Sequence, residues 1–403
     1  MTGTDLPLAG VRVVEMTHMV MGPTCGMILA QLGAEVIKVE PPAGDKTRSL
    51  RGMGTSFFPL FNRGKRSVVL DLAKPDDRDA MHRLLASADV FLENFRDGQL
   101  EKQGLGTEEL RRRHPNLIVC GHKGFLSGPY QHRPALDEVV QMMSGLAAMT
   151  GTSEKPQRVG SSANDIMGGM FGAISILAAL YQKRGGAGGA DIRIGLFENC
   201  LFLVAQHMVE YEMTGNKPRS MPEREHAWPI YDIFETAGGE RMFIGVVTEG
   251  QWQNFCREFE MAEFLEDPAL RTTTDRILAR SRIIPRVAEI MKRWNAAELS
   301  ATLERLNISF SPINRPEDLL EDPHVLRPGG LVNNVNVNGE AFRVPALPIE
   351  WNGANLGEGL KVPVLGADTS AVRAGLKPPR GSHDPSSGHL SRRSRELARS
   401  RPA

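Results

Sequence analysis

Residues 11–40 read VRVVEMTHMVMGPTCGMILAQLGAEVIKVE, and this stretch decides the fold. Residues 11–16 form a β-branched run of strand length. Gly22-Pro23 then opens an amphipathic stretch that continues to Leu32. Gly33 stands where a helix C-cap is expected, and residues 35–40 give the next strand. The same order recurs downstream, with 67–72 as strand, 76–87 as helix, 90–95 as strand, 107–114 as helix and 117–121 as strand. Strands separated by helices of this size require right-handed crossovers and a largely parallel sheet. The first part of the chain is therefore an α/β domain.

A longer helix is expected from Asn164 or Asp165 to Lys183, closed by Gly185-Gly186-Ala187-Gly188-Gly189, with a strand at 191–195 and a further helix to about Met213. The texture changes near Trp228. Residues 230–235 and 242–247 suggest a hairpin around Gly238-Gly239, and helices are expected at 251–259, 275–294 and 296–306. This reads as a smaller α+β domain, after which 331–351 alternates like short strands and returns to the first domain. The expected organisation is thus a large α/β domain at 1–215, a small domain with linkers at 216–325, a return segment at 326–376 and a basic tail at 377–403. The tail holds seven Lys/Arg and two acidic residues among Pro, Ser and Gly, a composition too polar to offset its ordering entropy, and it is expected to be disordered.

Composition narrows the function. The chain has 403 residues, 48 basic against 48 acidic, and four cysteines. The length allows two or three domains, and the zero net charge lacks the footprint of a nucleic-acid binder. Residues 1–10 show no basic cluster before an apolar stretch, so no secretory signal is expected, and the longest apolar run, 168–181, falls short of the ~20 residues of a membrane span. Cys25, Cys120, Cys200 and Cys256 are too scattered for a disulfide scaffold or a zinc site. The ten histidines show no HExxH or HxH spacing, so a metal centre has no support. These features describe a cytoplasmic protein with no expected nucleic-acid or membrane partner.

Phosphate cradles of the common kinds are missing. The glycine loop 185–189 follows a helix and precedes a strand, the reverse of a dinucleotide-binding turn, and Gly64-Lys65 precedes a strand rather than a helix. Asp165 carries more information. It follows the small, polar run 160–164 and opens a nearly apolar helix, where unpaired N–H groups and the helix dipole favour a carboxylate. An ordinary N-cap is the simpler reading of that pattern. Gly168-Gly169 in the next turn each cost ~1 kcal/mol inside a helix, which points to close approach by a ligand or another backbone. A carboxylate held there is a candidate nucleophile.

With these residues in view, the sequence resembles the class III CoA-transferase family, which includes formyl-CoA transferase and carnitine CoA-transferase. The resemblance rests on Thr17-His18, Gly22-Pro23, Leu32-Gly33-Ala34, Val36-Ile37-Lys38-Val39-Glu40, Phe61-Asn62-Arg63-Gly64-Lys65-Arg66-Ser67, Glu93-Asn94-Phe95-Arg96, Val139-Val140-Gln141 before Ser144-Gly145, and Asp165 followed by Gly169. It extends from about residue 7 to about residue 376. It implies a Rossmann-like large domain whose parallel sheet is built from both chain ends, a small domain, and an interlocked homodimer. It implies that Asp165 attacks an acyl-CoA thioester and passes through a mixed anhydride and an aspartyl-CoA thioester to a free carboxylic acid. Coenzyme A is then substrate, and no cofactor is permanently bound. By the same resemblance His18, Val20, Lys65, Arg66, Asn94, Phe95, Arg96, Lys102 and Lys123 are candidates for holding CoA, and the N–H groups of Gly168 and Gly169 for steadying the oxyanion. Asp97 and Asp368 depart from the family pattern, which usually has proline and histidine there. An α-methylacyl-CoA racemase of the same fold needs a histidine where this chain has Leu136, so its second acid–base group is missing. A non-catalytic acyl-CoA-binding protein is disfavoured because Asp165 is retained.

Overall fold

The computed structural model describes residues 6–376, so the tail expected at 377–403 lies outside the described residues. The chain divides into two compact units. The first comprises Met1–Lys123, Gly169–Arg193 and Lys361–Ala403, and the second Gly124–Gly168 and Ile194–Leu360.

The first unit follows the strand–helix alternation of the sequence: β1 (Arg12–Met16), α1 (Met21–Gln31), β2 (Glu35–Glu40), α2 (Phe57–Asn62), β3 (Arg66–Val69), α3 (Pro75–Leu85), β4 (Val90–Glu93), α4 (Thr107–Arg113) and β5 (Ile118–Lys123). With β6 (Asp191–Gly195) they form one sheet of order β3-β2-β1-β4-β5-β6, parallel from β3 through β5. α3 shows why these crossovers form. Pro75 presets its first turn, Asp76 and Asp77 face the positive end of its dipole, and His82 and Arg83 the negative end. Its apolar face, Ala80, Met81, Leu84 and Leu85, is buried with Val14, Ile37, Val68 and Phe91 of the strands. The strand order reverses between β1 and β4, and the chains leaving their carboxyl ends diverge there, the usual position of a ligand crevice in such sheets.

The C-terminal return reaches this unit at β3. Ser67 donates its N–H to Asp368 Oδ2 at 3.0 Å and accepts the Asp368 N–H at 3.0 Å, and Val69 donates to Thr369 Oγ1 at 3.0 Å. Among the described residues the return supplies a helix, Thr369–Gly375, and no strand of this sheet, whose six strands come from residues 12–195. This corrects the expectation of a sheet built from both chain ends.

The second unit contains α5 (Asp137–Met143), α6 (Leu146–Thr150), the first turn of α7 (Ala163–Arg184) and α8 (Leu196–Thr214), followed by an antiparallel sheet of β7 (Ile230–Glu235), β8 (Arg241–Val246) and β9 (Ser309–Pro312). α9 (Glu249–Glu258) starts with a reciprocal Thr248–Gln251 capping box. It buries Trp252 and Phe255 in a core with Ile244, Val287 and Leu303. The expected helix 275–294 is two helices, Thr273–Leu278 and Arg280–Met291. Return to the first unit begins at Lys361 rather than 326. β10 (Leu331–Val335) pairs with β11 (Ala341–Pro345), and Asn333 and Val335 hold the 358–360 stretch through bonds to Glu358 and Leu360, keeping it with the second unit. For the same reason of local packing, residues 124–168 and 194–215 belong to this unit rather than to the large domain.

α7 has 22 residues and is long and apolar enough, by length and composition, to cross a membrane. That corrects the expectation drawn from the 168–181 run, because Ala163, Ile166 and Met167 extend its apolar character. Its glycines record tight packing instead. A Cβ on Gly169 would lie 2.6 Å from Thr24 Cβ and 2.7 Å from the Met21 carbonyl oxygen, so α7 approaches α1 with backbone against backbone. The glycine loop 185–189 has a similar explanation, since a Cβ on Gly189 would lie 2.1 Å from the Leu117 carbonyl oxygen.

Gly169→Ala is therefore expected to destabilise the protein by ~1–3 kcal/mol, the cost of overpacking, measured by urea unfolding. The ~1 kcal/mol gain of an ordinary helical Gly→Ala change would contradict this packing.

Candidate active site

In the first unit, the carboxyl ends of β1, β4 and β5 gather four of the expected residues. The loop after β1 turns through Met19, a non-glycine residue at φ +64°. Asn94 holds that loop from both sides: its Oδ1 accepts the His18 N–H at 3.0 Å and its amide donates to the His18 carbonyl at 2.7 Å. The His18 ring lies 5.7 Å from the Phe95 ring. Although His18 keeps solvent access, the protein around it lowers its pKa; burial is the main cause, helped by Lys38 and Lys46 and opposed by Asp45. Lys123 donates to the Phe95 carbonyl at 2.8 Å and pairs with Glu93 at 2.8 Å and Asp97 at 3.5 Å. Lys123 therefore supports the 94–97 loop and has its charge already met. Burial raises the Glu93 pKa against the pull of Lys123. Arg96 and Lys102 are exposed.

Three other candidates are structural. The Lys65 side chain is fully buried; its ammonium meets Glu15 at 2.8 Å, the Pro23 carbonyl at 2.9 Å and Asn62 at 3.1 Å. Three donors meet three acceptors, which leaves nothing for a phosphate. Burial still lowers its pKa to about 8, with Glu15 opposing. Arg66 pairs with Glu35 and with Asp368 at 3.0 Å, and this explains Asp368: it caps the edge of β3 and meets a cation there. Val20 is buried at the start of α1. Asp97 likewise has a local role, accepting from Arg193 at 3.1 Å.

The second unit holds Asp165, the third residue of α7. Ile166 already donates to the Ser162 carbonyl at 2.9 Å, so helical bonding is established before Gly168. Gly168 and Gly169 are the sixth and seventh residues of α7, beyond its first turn. The donors left by helix geometry are those of the first turn. Neighbouring Asn164 is fixed by the Leu196 carbonyl at 3.0 Å and by Asn199.

Asp165 keeps partial solvent access, yet its pKa is raised to about 7. Burial is the largest cause, the negative charge of Asp137 adds to it, and Arg158 opposes both. Asp137 opens α5, where burial raises its own pKa while Gln141, Arg158 and the Asp165 backbone N–H lower it. Two carboxyls in one crowded place, with pKa values pushed upward, are a hallmark of reactive sites. Sequence reasoning missed Asp137, Gln141 and Arg158 as members of this group. The four-residue spacing of Asp137 and Gln141 at a helix start was the available signal. All four cysteines are buried free thiols, and among the described residues no cluster of His, Cys, Asp and Glu is arranged to hold a metal.

With this geometry established, comparison with known proteins places the chain. Residues 8–369 match CoA-transferase family III, and the protein belongs to the class III CoA-transferase family. It is 31% identical over 369 residues to a succinyl-CoA–D-citramalate CoA-transferase of Chloroflexus aurantiacus, covering 87% of this chain and 92% of that one. It is 35% identical over 320 residues to a probable fatty acyl-CoA transferase of Mycobacterium tuberculosis, covering 74% and 76%. A crystal structure of a CaiB/BaiF family protein from Brucella suis matches with TM-score 0.83 and 31% identity, over 92% of this chain and all of that one. The protein is an enzyme of this class, with acyl-CoA and carboxylate as its substrates.

If Lys65 is a core residue, Lys65→Met strands Glu15 in a dry interior and costs ~3–5 kcal/mol of stability, read by chemical unfolding. Unchanged stability with a raised KM for acyl-CoA would return Lys65 to the CoA site.

Proposed function

We propose that this enzyme transfers CoA by covalent catalysis on Asp165. The carrying observation is the Asp165 carboxyl, with a pKa of about 7, beside Asp137 at the first turn of α7. A carboxylate of ordinary pKa is weakly basic and well hydrated. Raising the pKa makes the ionised form a better nucleophile while leaving a large fraction ionised near neutrality.

In the proposed sequence the Asp165 carboxylate attacks the thioester carbonyl, forming a mixed anhydride and releasing CoA thiolate. The thiolate attacks the Asp165 carbonyl, which frees the donor acid and leaves an aspartyl-CoA thioester. The acceptor carboxylate attacks that thioester, and the returning thiolate takes the acceptor acyl group and restores Asp165. Each step makes one acyl bond and breaks one, and no resident cofactor is needed. The first-turn N–H groups of α7 other than that of Asp165, which Asp137 accepts, are the proposed donors to oxyanions formed on Asp165. His18, Asn94, Phe95 and the exposed cations Arg96 and Lys102 are the proposed CoA contacts in the first unit. Lys123 acts behind them by holding the Phe95 carbonyl.

The donor class is proposed to be a short dicarboxylic acyl-CoA such as succinyl-CoA, supported by the name of the Chloroflexus relative. A long-chain acyl-CoA is the second reading, supported by that of the mycobacterial one. Racemisation is disfavoured because position 136 carries an exposed leucine, which offers no second acid–base group. A homodimer is proposed from the exposed apolar side chains Met170, Ile174 and Tyr181 along one face of α7, and Met208, Val209 and Met213 on α8. Patches of this kind mark protein interfaces.

Incubation with succinyl-CoA or palmitoyl-CoA and hydroxylamine is expected to give a hydroxamate or CoA-thioester on the peptide containing Asp165, absent in Asp165→Ala. The rate should fall about tenfold per pH unit below pH 7, because only the ionised form attacks and its fraction falls as pH drops through its pKa. Exchange of the α-proton in D2O without any adduct would contradict transfer and favour racemisation.

A further inference from the structure

Asp165 is reached through a segment with little regular structure. Residues 156–162 carry neither helix nor strand, so side chains must fix the route by which the chain enters α7. Two do so. Gln141 is fully buried; its Oε1 accepts the Val159 N–H at 2.9 Å, and its Nε2 donates to Asp137 Oδ2 at 2.6 Å. The two partners settle the orientation of the amide, because Val159 offers only a donor and the Asp137 carboxylate only acceptors.

Arg158 fastens the same segment from the other side. Its Nε donates to the Val159 carbonyl at 3.0 Å and its Nη2 to the Ser161 carbonyl at 3.1 Å. Outward, it pairs with Glu138 at 3.1 Å and lies 3.7 Å from Asp137. Its guanidinium is spent on two carbonyls of the approach segment and two carboxylates of the first turn of α5. It is therefore poorly placed to read the charge of an incoming acid, the first role a cation beside a nucleophile would suggest.

We propose that Gln141 and Arg158 are positioning residues for the nucleophile: they clamp the 157–162 approach segment to the first turn of α5 and hold Asp137 at a fixed place beside Asp165. This rests on Asp165 being the nucleophile. Without the clamp, the segment is loosened and Asp137 loses the hydrogen bond that aims it. The charged groups bearing on Asp165 are Asp137 on α5 and Arg158 on the approach segment, with Glu138 acting through both. The clamp thus sets the electrostatics of Asp165 as well as its location.

The test measures Asp165 adduct formation against pH in full-length protein, using succinyl-CoA and palmitoyl-CoA with hydroxylamine, for wild type, Arg158→Gln, Arg158→Lys and Gln141→Glu. In its ionised form Gln141→Glu preserves size and the acceptor for Val159 but cannot donate to Asp137, and Arg158→Lys, which keeps the charge, guards against a variant that fails to fold. Arg158→Gln and Gln141→Glu are expected to slow adduct formation ~10- to 100-fold, the usual cost of a misplaced reacting group, with the donor KM within about twofold. Both should move the pH midpoint upward, one by removing a cation and the other by adding an anion. Arg158→Lys should retain the wild-type midpoint because it retains the charge. Arg158→Gln and Gln141→Glu slowed with an unmoved midpoint, or as fast as wild type, would overturn the clamp while leaving the nucleophile in place. No Asp165 adduct in wild type with either donor would overturn the nucleophile reading, and this inference with it.

Discussion

Glu15, Lys38, Asp45 and Lys65 are buried together under the carboxyl end of the sheet, and the first unit is organised around satisfying them. Lys38 meets Asp45 at 2.9 Å and Glu15 at 3.6 Å and donates to the Thr17 carbonyl at 2.6 Å. Lys65 meets Glu15 and two further oxygens. Each charge would be costly in a dry interior without its partners, so the cluster fixes the end of β1, the start of α1 and the segment after α2 in one geometry. The loop that presents His18 emerges directly from this cluster through the Thr17 carbonyl.

The second unit uses the same physics toward a different result. In the first unit opposite charges cancel, and the groups are inert. Around Asp165 two carboxyls share one crowded place, and the single cation, Arg158, is divided among several acceptors. Compensation is left incomplete, and the Asp165 pKa is pushed up to about 7. The buried charges of the first unit are compensated and those around Asp165 in the second are not. Gly169 on α7 allows close contact with α1.

How far the sequence revealed this depended on the range of each interaction. Local patterns were readable: the strand–helix alternation, the glycine closing α1, and Asp165 before an apolar helix. Lys65 was not, because a lysine written beside Gly64 looks like a phosphate ligand until Glu15, 50 residues earlier, is seen to bury it. Arg66 was misread for the same reason, its partner Asp368 lying 302 positions away. Gly169 was recognised as a place of close approach by a ligand or another backbone, and spacing alone could not tell which; the structure puts the Met21 carbonyl there. Arg158 sits in a coil without periodic signal, and Gln141 offers only its four-residue spacing from Asp137; the folded route of residues 156–162 gives both their meaning.

The central claim is that Asp165 exchanges one of its own oxygens during each transfer. The most direct measurement is turnover with an acceptor acid carrying isotopically heavy oxygen in its carboxylate, followed by mass analysis of the peptide containing Asp165. When thiolate takes the acceptor acyl group from the anhydride, the bridging oxygen stays with the enzyme. The account predicts one heavy oxygen on Asp165 after turnover, and its appearance in the donor acid released in the next cycle. Sustained transfer with no label on Asp165 would contradict the account, because CoA would then pass between the acids without a covalent aspartyl intermediate.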